Sequence, residues 1–359
     1  MRKHNFSAGP SVLPVPVLEE LRDNMVDYQG TGLSLIEVSH RGKDYDAVHQ
    51  DALDRLRKEL AVPESHKILL LAGGATLQFS MVPMNLLKPG GSADIVVSGS
   101  WAKKAIDDLK KLGTANVLYD GKENNYTDLP DPASITASDG ASYLHITSNE
   151  TIGGVQWKSF PRTGAVPMVA DMSSDILSRP IDVSQFGLIY AGAQKNMGPA
   201  GVTVVIIRDD VLERCADLPA YLSYKIHADK DSLYNTPPVF AVYALDLVMK
   251  WVEAQGGVAG IENTNAKKAA RVYGVVDANP EFYRCPVNPA VRSPMNVVFR
   301  LPSEELEKQF IAESVQEGMV GLKGHRSVGG IRASLYNALP LESAEALARF
   351  MEEFVRTNG

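Results

Sequence analysis

A single lysine lies among small residues in the stretch IYAGAQKNMGPAG, which covers residues 189–201. Apolar runs flank this stretch, so Lys195 is expected in a turn between two strands. Two interpretations are open. Lys195 is either a flexible surface residue or a buried amine with a lowered pKa that forms a Schiff base with an aldehyde. In the second case, the small neighbours leave room for a flat cofactor.

An aspartate follows an apolar run upstream of this lysine, in the stretch VADMSSD. Asp171 at this strand end either caps the next turn or holds a pyridinium nitrogen in its protonated form. A carboxylate at a pyridinium nitrogen and a Schiff-base lysine are together the chemical signature of pyridoxal phosphate enzymes. Asp171 and Lys195 therefore form a two-point signal for that cofactor.

Two further features suit the phosphate and the ring of such a cofactor. The stretch AGGATLQ places a glycine turn before a helix, where the amides of Ala75 and Thr76 could bind an anion. A tight turn with no ligand is the alternative. Trp101 follows the apolar run ADIVVSG and begins a helix, so it is placed either to stack on a planar ring or to pack in the core.

Basic residues near the start and the end of the chain could bind anionic substrates. Arg332 lies in the small-residue stretch GGIRAS, where it could hold a carboxylate through two hydrogen bonds, unless it is an exposed edge-strand residue. The pairs His40-Arg41 and His325-Arg326 are each consistent with a solvated loop when taken alone. Together they could form a pocket for a phosphate or a side-chain carboxylate.

The elements that must position these residues alternate in the first two thirds of the chain. Apolar runs without polar alternation predict strands that are covered on both faces, in a mainly parallel sheet with helices on each side. Ligands of such sheets bind at the carboxyl ends of the strands. The predicted strands cover residues 67–72, 93–99, 142–148, 166–172, 188–193 and 202–208.

The pattern changes after residue 256, which suggests a second domain. A long helix is predicted within residues 235–257, and a helix, a strand, another helix and a final helix follow it. We expect an α/β fold with a large domain over residues 14–256. A smaller α/β domain is expected from residues 1–13 together with residues 257–359.

Composition excludes several functional classes. The formal net charge of −7 gives no basic surface of the kind that nucleic acids require. No apolar run approaches the ~20 residues that span a membrane, and the N-terminus lacks the apolar core of a signal peptide. Cys215 and Cys285 show no metal-ligand spacing and are expected to be free thiols, which favours a cytoplasmic protein. No metal site is predicted, and no G-x-S-x-G motif supports a hydrolase.

The combined motifs resemble the class V, fold-type-I pyridoxal phosphate-dependent aminotransferases over nearly the whole chain. The stretches that carry this resemblance are NFSAGPSVLP, SHRGKDY, GGATLQF, SNETIGGVQW, DMSSDILSRPID, AGAQKNMGPAG, YNTPP and GHRSVGGIRASLYNA. Some relatives have Gly-Arg or Gly-Cys where this chain has Ala75-Thr76. That difference matters little if backbone amides bind the phosphate.

The resemblance implies a role for each candidate residue. Lys195 would be the Schiff-base lysine, Asp171 the partner of the pyridinium nitrogen and Trp101 the stacking platform. Thr151 would bind near the phenolic oxygen of the ring, and Gln194 with Ala75-Thr76 would hold the phosphate. The resemblance further implies a homodimer with shared active sites, in which Asn235 and Thr236 reach the phosphate of the neighbouring subunit. The substrate-binding residues would be Ser7, His40, Arg41, His325, Arg326 and Arg332.

The same resemblance implies transamination of phosphorylated substrates in serine synthesis. Glutamate would leave as 2-oxoglutarate, and 3-phosphohydroxypyruvate would become O-phosphoserine in a ping-pong reaction. 4-Phosphohydroxy-L-threonine is a further substrate of such relatives. A serine–glyoxylate or alanine–glyoxylate aminotransferase is the first alternative. A cysteine desulfurase and a binding protein that has lost the cofactor are also considered, and neither cysteine lies in a desulfurase-like loop.

Overall fold

The computed structural model describes residues 2–359, which form helices packed around one large sheet and three small ones. The helices are α1 (Val15–Asp23), α2 (Lys43–Glu59), α3 (Gly74–Leu86), α4 (Ser100–Leu112), α5 (Asp209–Glu213), α6 (Tyr224–Asp229), α7 (Val239–Ala254), α8 (Gly257–Ala278), α9 (Glu304–Gln316) and α10 (Leu341–Asn358). The strands are β1 (His4–Asn5), β2 (His66–Leu71), β3 (Ser92–Val97), β4 (Thr114–Asp120), β5 (Leu144–Thr147), β6 (Asn149–Glu150), β7 (Val155–Gln156), β8 (Met168–Asp171), β9 (Leu188–Gly192), β10 (Thr203–Arg208), β11 (Asn296–Phe299), β12 (Met319–Val320) and β13 (Ile331–Ser334).

The large sheet has the strand order β2-β10-β9-β8-β5-β3-β4. Strand β10 runs antiparallel to both of its neighbours, and the other paired strands are parallel. The mainly parallel α/β sheet expected from the sequence is therefore confirmed. All six strands predicted for it are present, and β4 is an additional edge strand that the sequence analysis did not identify.

Both faces of the large sheet are covered, which explains why its strands are apolar without alternation. In β10, Val204 packs into a cluster that includes α7, whereas the next residue, Val205, packs into another cluster that includes α3 and α4. Each strand residue thus lies in one of two cores on opposite faces. Because the parallel strands point the same way, their carboxyl ends meet at one edge of the sheet.

A separate apolar cluster lies in the C-terminal part of the chain. It contains Val272 of α8, Phe310 of α9 and Phe354 of α10, together with Phe6 near the N-terminus. Strand β1 pairs in parallel with β12, and β11 pairs antiparallel with β13. The first residues of the chain therefore pack with its last hundred.

Of residues 2–359, no helix is long and apolar enough to cross a lipid bilayer.

Candidate active site

A cavity of about 360 Å³ opens at the carboxyl edge of the large sheet. The turns after β2, β5, β8 and β9 contribute to its walls, as does the start of α4 after β3. The predicted site residues that line it are Ala75, Thr76, Trp101, Thr151, Asp171, Gln194, Lys195, His325 and Arg332. The position agrees with the general rule for ligand sites in open α/β sheets.

Lys195 is buried at the floor of this cavity rather than exposed on a loop. Its Nζ atom donates a hydrogen bond to Oγ1 of Thr151 at 2.8 Å. Burial lowers the pKa of Lys195 to about 8, and the nearby carboxylate of Asp171 opposes that shift. A substantial fraction of Lys195 is therefore the free amine near neutral pH, which is the form that attacks an aldehyde.

Asp171 is the last residue of β8, and its carboxyl group is buried against the cavity. Its Oδ1 atom accepts a hydrogen bond from the backbone N–H of Ser173 at 2.9 Å. Burial raises the pKa of Asp171, while the hydrogen bonds from Ser173 and the charge of Lys195 lower it. A buried carboxylate in this position is suited to bind a cationic ring N–H.

The start of α3 is suited to bind a phosphate. Gly73 has a φ of +95°, and a Cβ atom there would lie 2.4 Å from Cδ2 of Leu77, so the turn requires glycine. The first backbone N–H groups of α3, at Gly74, Ala75 and Thr76, have no acceptor within the helix and lie at the cavity wall. These amides and the helix dipole together favour an anion.

Trp101 forms another part of the cavity wall, and its ring centroid lies 5.5 Å from Nζ of Lys195. Arg332 lies on β13, and its Nη1 atom donates a hydrogen bond to the carbonyl of Thr151 at 3.3 Å. Within residues 2–359, neither Nε1 of Trp101 nor Nε of Arg332 has a hydrogen-bond partner, although both atoms are buried. Unpaired donors around a cavity that also holds a free amine fit a planar, anionic aldehyde such as pyridoxal phosphate.

His325 stands near Arg332 at the cavity and hydrogen-bonds Oγ of Ser327 through Nδ1 at 2.7 Å. Burial and the positive charges of Arg332, Arg326 and Lys104 lower its pKa. These charges make this side of the cavity electropositive within an acidic protein, and an anionic substrate would be attracted there.

Six of the predicted site residues do not line the cavity of a single chain. They are Ser7, His40, Arg41, Asn235, Thr236 and Arg326. Arg41, Thr236 and Arg326 are exposed, and Asn235 lines a small separate cavity beside Leu71 and Leu77. One subunit therefore brings together the predicted cofactor residues, except the pair Asn235 and Thr236, and part of the predicted substrate residues.

The sequence analysis missed several polar residues at this edge of the sheet. Ser173 and Ser174 lie beside Asp171, Asn149 lies beside Thr151, and all three line the cavity. Glu150 is fully buried and accepts hydrogen bonds from the start of α4. Their signal was present in the stretches SNETIGG and DMSSD, but short polar runs after a strand also form ordinary turns.

Comparison with known proteins gives a consistent assignment. The family model "Aminotransferase class-V" matches residues 3–347. The phosphoserine aminotransferase of Geobacillus kaustophilus is 56% identical, with 99% of each chain covered. The solved structure of phosphoserine aminotransferase from Bacillus circulans subsp. alkalophilus matches with a TM-score of 0.98 at 53% identity, covering 100% of this chain and 99% of that one.

A solved structure of pyridoxal phosphate-bound phosphoserine aminotransferase from Trichomonas vaginalis also matches. Its TM-score is 0.93 at 40% identity, with 98% of this chain and 100% of that chain covered. The family and the cofactor expected from the sequence are both confirmed by these matches. This chain belongs to the class-V aminotransferases and is an enzyme that uses pyridoxal phosphate.

Proposed function

We propose that this enzyme is a phosphoserine aminotransferase. It transfers an amino group reversibly between glutamate and 3-phosphohydroxypyruvate and yields 2-oxoglutarate and O-phosphoserine. The observation that carries the proposal is the convergence of Lys195, Asp171, Trp101 and Arg332 on one cavity with an electropositive side. Relatives of the same name at more than 50% identity over the full length support the choice of substrate.

The residues around the cavity divide the work of the reaction. When bound, pyridoxal phosphate supplies an aldehyde that takes up the amino group and a ring that accepts electrons. The Lys195 amine is the base that takes the proton from Cα of the amino acid and returns it on the other side of the transfer. Thr151 holds this amine in place through its hydroxyl at 2.8 Å.

The remaining cofactor residues bind and orient the ring. The carboxylate of Asp171 would hold the proton on the ring nitrogen, and the indole of Trp101 would stack on the ring. The amides of Ala75 and Thr76, with the side chain of Gln194, would bind the phosphate. These groups line the same cavity, which lets one planar molecule contact them together.

The substrate is recognised through its two anionic ends. Arg332 binds the α-carboxylate, because its guanidinium lies in the cavity with Nε unpaired. His325 and Arg326 bind the phosphate of phosphoserine or the side-chain carboxylate of glutamate. His40 and Arg41 complete this pocket, with Ser7 at its entrance. A ping-pong enzyme must bind both anions in turn at this place.

A second copy of the chain would complete the site. The loop after α1 exposes large apolar side chains, with exposed fractions of 82% for Val26, 51% for Leu33 and 54% for Ile36. Tyr234 is likewise 46% exposed, next to Asn235. Exposed apolar surface of this kind is typical of subunit contacts. In the proposed homodimer, Asn235, Thr236, His40 and Arg41 reach the partner's cavity.

The proposal includes the domain division and the location expected from the sequence. The large domain covers residues 14–256, and the small domain covers residues 1–13 and 257–359. The separate C-terminal cluster that includes Phe6 supports this division. Cys215 and Cys285 are unpaired, which supports a cytoplasmic location.

A substrate comparison tests the proposed function. The enzyme is assayed with O-phosphoserine and 2-oxoglutarate, and separately with alanine or serine and glyoxylate. Turnover that requires the phosphorylated amino acid is expected. Faster turnover with alanine or serine would favour a glyoxylate aminotransferase instead. 4-Phosphohydroxy-L-threonine as amino donor tests whether the pocket accepts the longer substrate.

A further inference from the structure

The carboxylate of Glu150 binds the first turn of α4 from outside that helix. Its Oε2 atom accepts a hydrogen bond from the backbone N–H of Trp101 at 3.1 Å, and its Oε1 atom accepts one from Ala102 at 3.1 Å. Gly99, the residue before the helix, offers no side chain for this purpose. Glu150 therefore takes the place of a helix-capping side chain, although it is 49 residues away from Trp101 in the sequence.

Gly99 provides the space that this arrangement needs. A Cβ atom at residue 99 would lie 2.4 Å from Cδ and 2.6 Å from Oε2 of Glu150. Gly99 has an extended φ of 170°, so the backbone itself would accept other residues. Glycine is required at this position because the Glu150 carboxylate occupies the adjacent volume.

The carboxylate is compatible with this buried position because the helix start compensates for its charge. Glu150 is fully buried. Burial raises its pKa to about 7, and the N–H groups of Ala102 and Trp101 oppose that rise. Above neutral pH the group is a carboxylate, and its negative charge faces the positive end of the α4 dipole.

Glu150 also links Trp101 to the reacting lysine. The next residue, Thr151, accepts a hydrogen bond from Nζ of Lys195 through its hydroxyl and another from Arg332 through its carbonyl. A single short segment thus contacts Trp101, Lys195 and Arg332, which come from three separate parts of the chain.

We infer that Glu150 is a positioning residue that fixes Trp101, through its main chain, at the distance from Lys195 at which the indole stacks on the cofactor ring. The inference rests on the proposed function, since the stacked ring is that of pyridoxal phosphate. Glu150 acts through Trp101 and is not itself a group that contacts the reacting atoms.

Glu150→Gln tests the inference with little change in side-chain shape. The amide nitrogen would face one of the two backbone N–H groups, so one hydrogen bond and the negative charge are lost. We expect pyridoxal phosphate to bind the apoenzyme about tenfold more weakly, measured at pH 8 by equilibrium dialysis. The near-ultraviolet circular dichroism of the apoenzyme should also change, because the surroundings of Trp101 change.

A double-mutant cycle separates positioning from general destabilisation. Glu150→Gln is combined with Trp101→Ala, and the dissociation constant of pyridoxal phosphate is measured for each variant. In the Trp101→Ala background, Glu150→Gln should weaken binding by less than about twofold. An equal loss in both backgrounds, or no loss in the wild-type background, would overturn the inference.

Two further variants keep the test decisive. Gly99→Ala displaces the same carboxylate from the other side and should show the same dependence on Trp101, even if Glu150→Gln folds poorly. Asp94→Asn is the matched control, because Asp94 is a buried carboxylate on β3 that accepts a backbone N–H from Ser138. It lies towards the opposite end of that strand and should leave cofactor binding unchanged. Wild-type enzyme that binds the cofactor but does not transaminate phosphoserine would refute the proposed function alone.

Discussion

The amine of Lys195 donates a hydrogen bond to the hydroxyl of Thr151 at 2.8 Å, and both residues lie just past the carboxyl ends of strands in the same sheet. Thr151→Val removes the acceptor with little change in volume, so the amine loses its fixed position. We expect kcat to fall about tenfold in steady-state assays. Thr151→Ser keeps the hydroxyl and should retain most of the activity; equal losses in both variants would argue against this role.

The lowered pKa of Lys195 predicts how the apoenzyme recovers its cofactor. Burial brings this pKa from 10.5 to about 8, so the reactive free amine predominates above about pH 8. The rate of reconstitution with pyridoxal phosphate, followed by visible absorbance, should rise about tenfold per pH unit below that value and then level off. A rate that continues to rise to pH 10 would indicate a solvent-exposed lysine.

Arg332 is expected to bind the carboxylate that both amino-acid substrates share. Arg332→Leu should therefore raise KM about a hundredfold for phosphoserine and for glutamate alike. Arg332→Lys keeps the charge but loses the two-pronged geometry, and we expect an intermediate KM. Initial-rate kinetics with each substrate provide the measurement. A rise for phosphoserine alone would assign Arg332 to the phosphate instead.

Shared active sites can be detected by mixing inactive variants. Lys195→Ala removes the base, and the double variant Asn235→Ala/Thr236→Ala removes the proposed phosphate contacts from the partner. When the two chains are refolded together, about half of the dimers are mixed, and each has one intact site, which restores about a quarter of the wild-type activity. Each variant refolded alone serves as the control. A mixture that stays inactive would place all of these residues in the same subunit's site.

The sequence predicted the centre of the site because its residues follow apolar strands directly. Lys195, Asp171 and Trp101 each come within a few residues of a strand end, and parallel strands bring such ends to one edge. The direction of β10 could not be predicted in the same way. Its residues are apolar on both faces, and that pattern is the same for a parallel and an antiparallel neighbour.

Glu150 shows why other parts of the site could not be read from the sequence. A glutamate beside a short polar stretch normally lies in solvent. Its burial depends on two backbone N–H groups of α4 and on the empty volume at Gly99, which are distant in sequence. Strand β4 was missed for a different reason. Its residues are only partly buried at the sheet edge, so they lack the continuous apolar run of the central strands.

The central claim is that Lys195 and the basic side of the cavity together serve a phosphorylated amino acid. The most direct test is the absorbance spectrum of the purified holoenzyme before and after addition of O-phosphoserine, with serine and alanine as controls. We predict that the visible cofactor band decreases with phosphoserine and persists with both controls. A band that ignores phosphoserine and decreases with alanine or serine would contradict the claim.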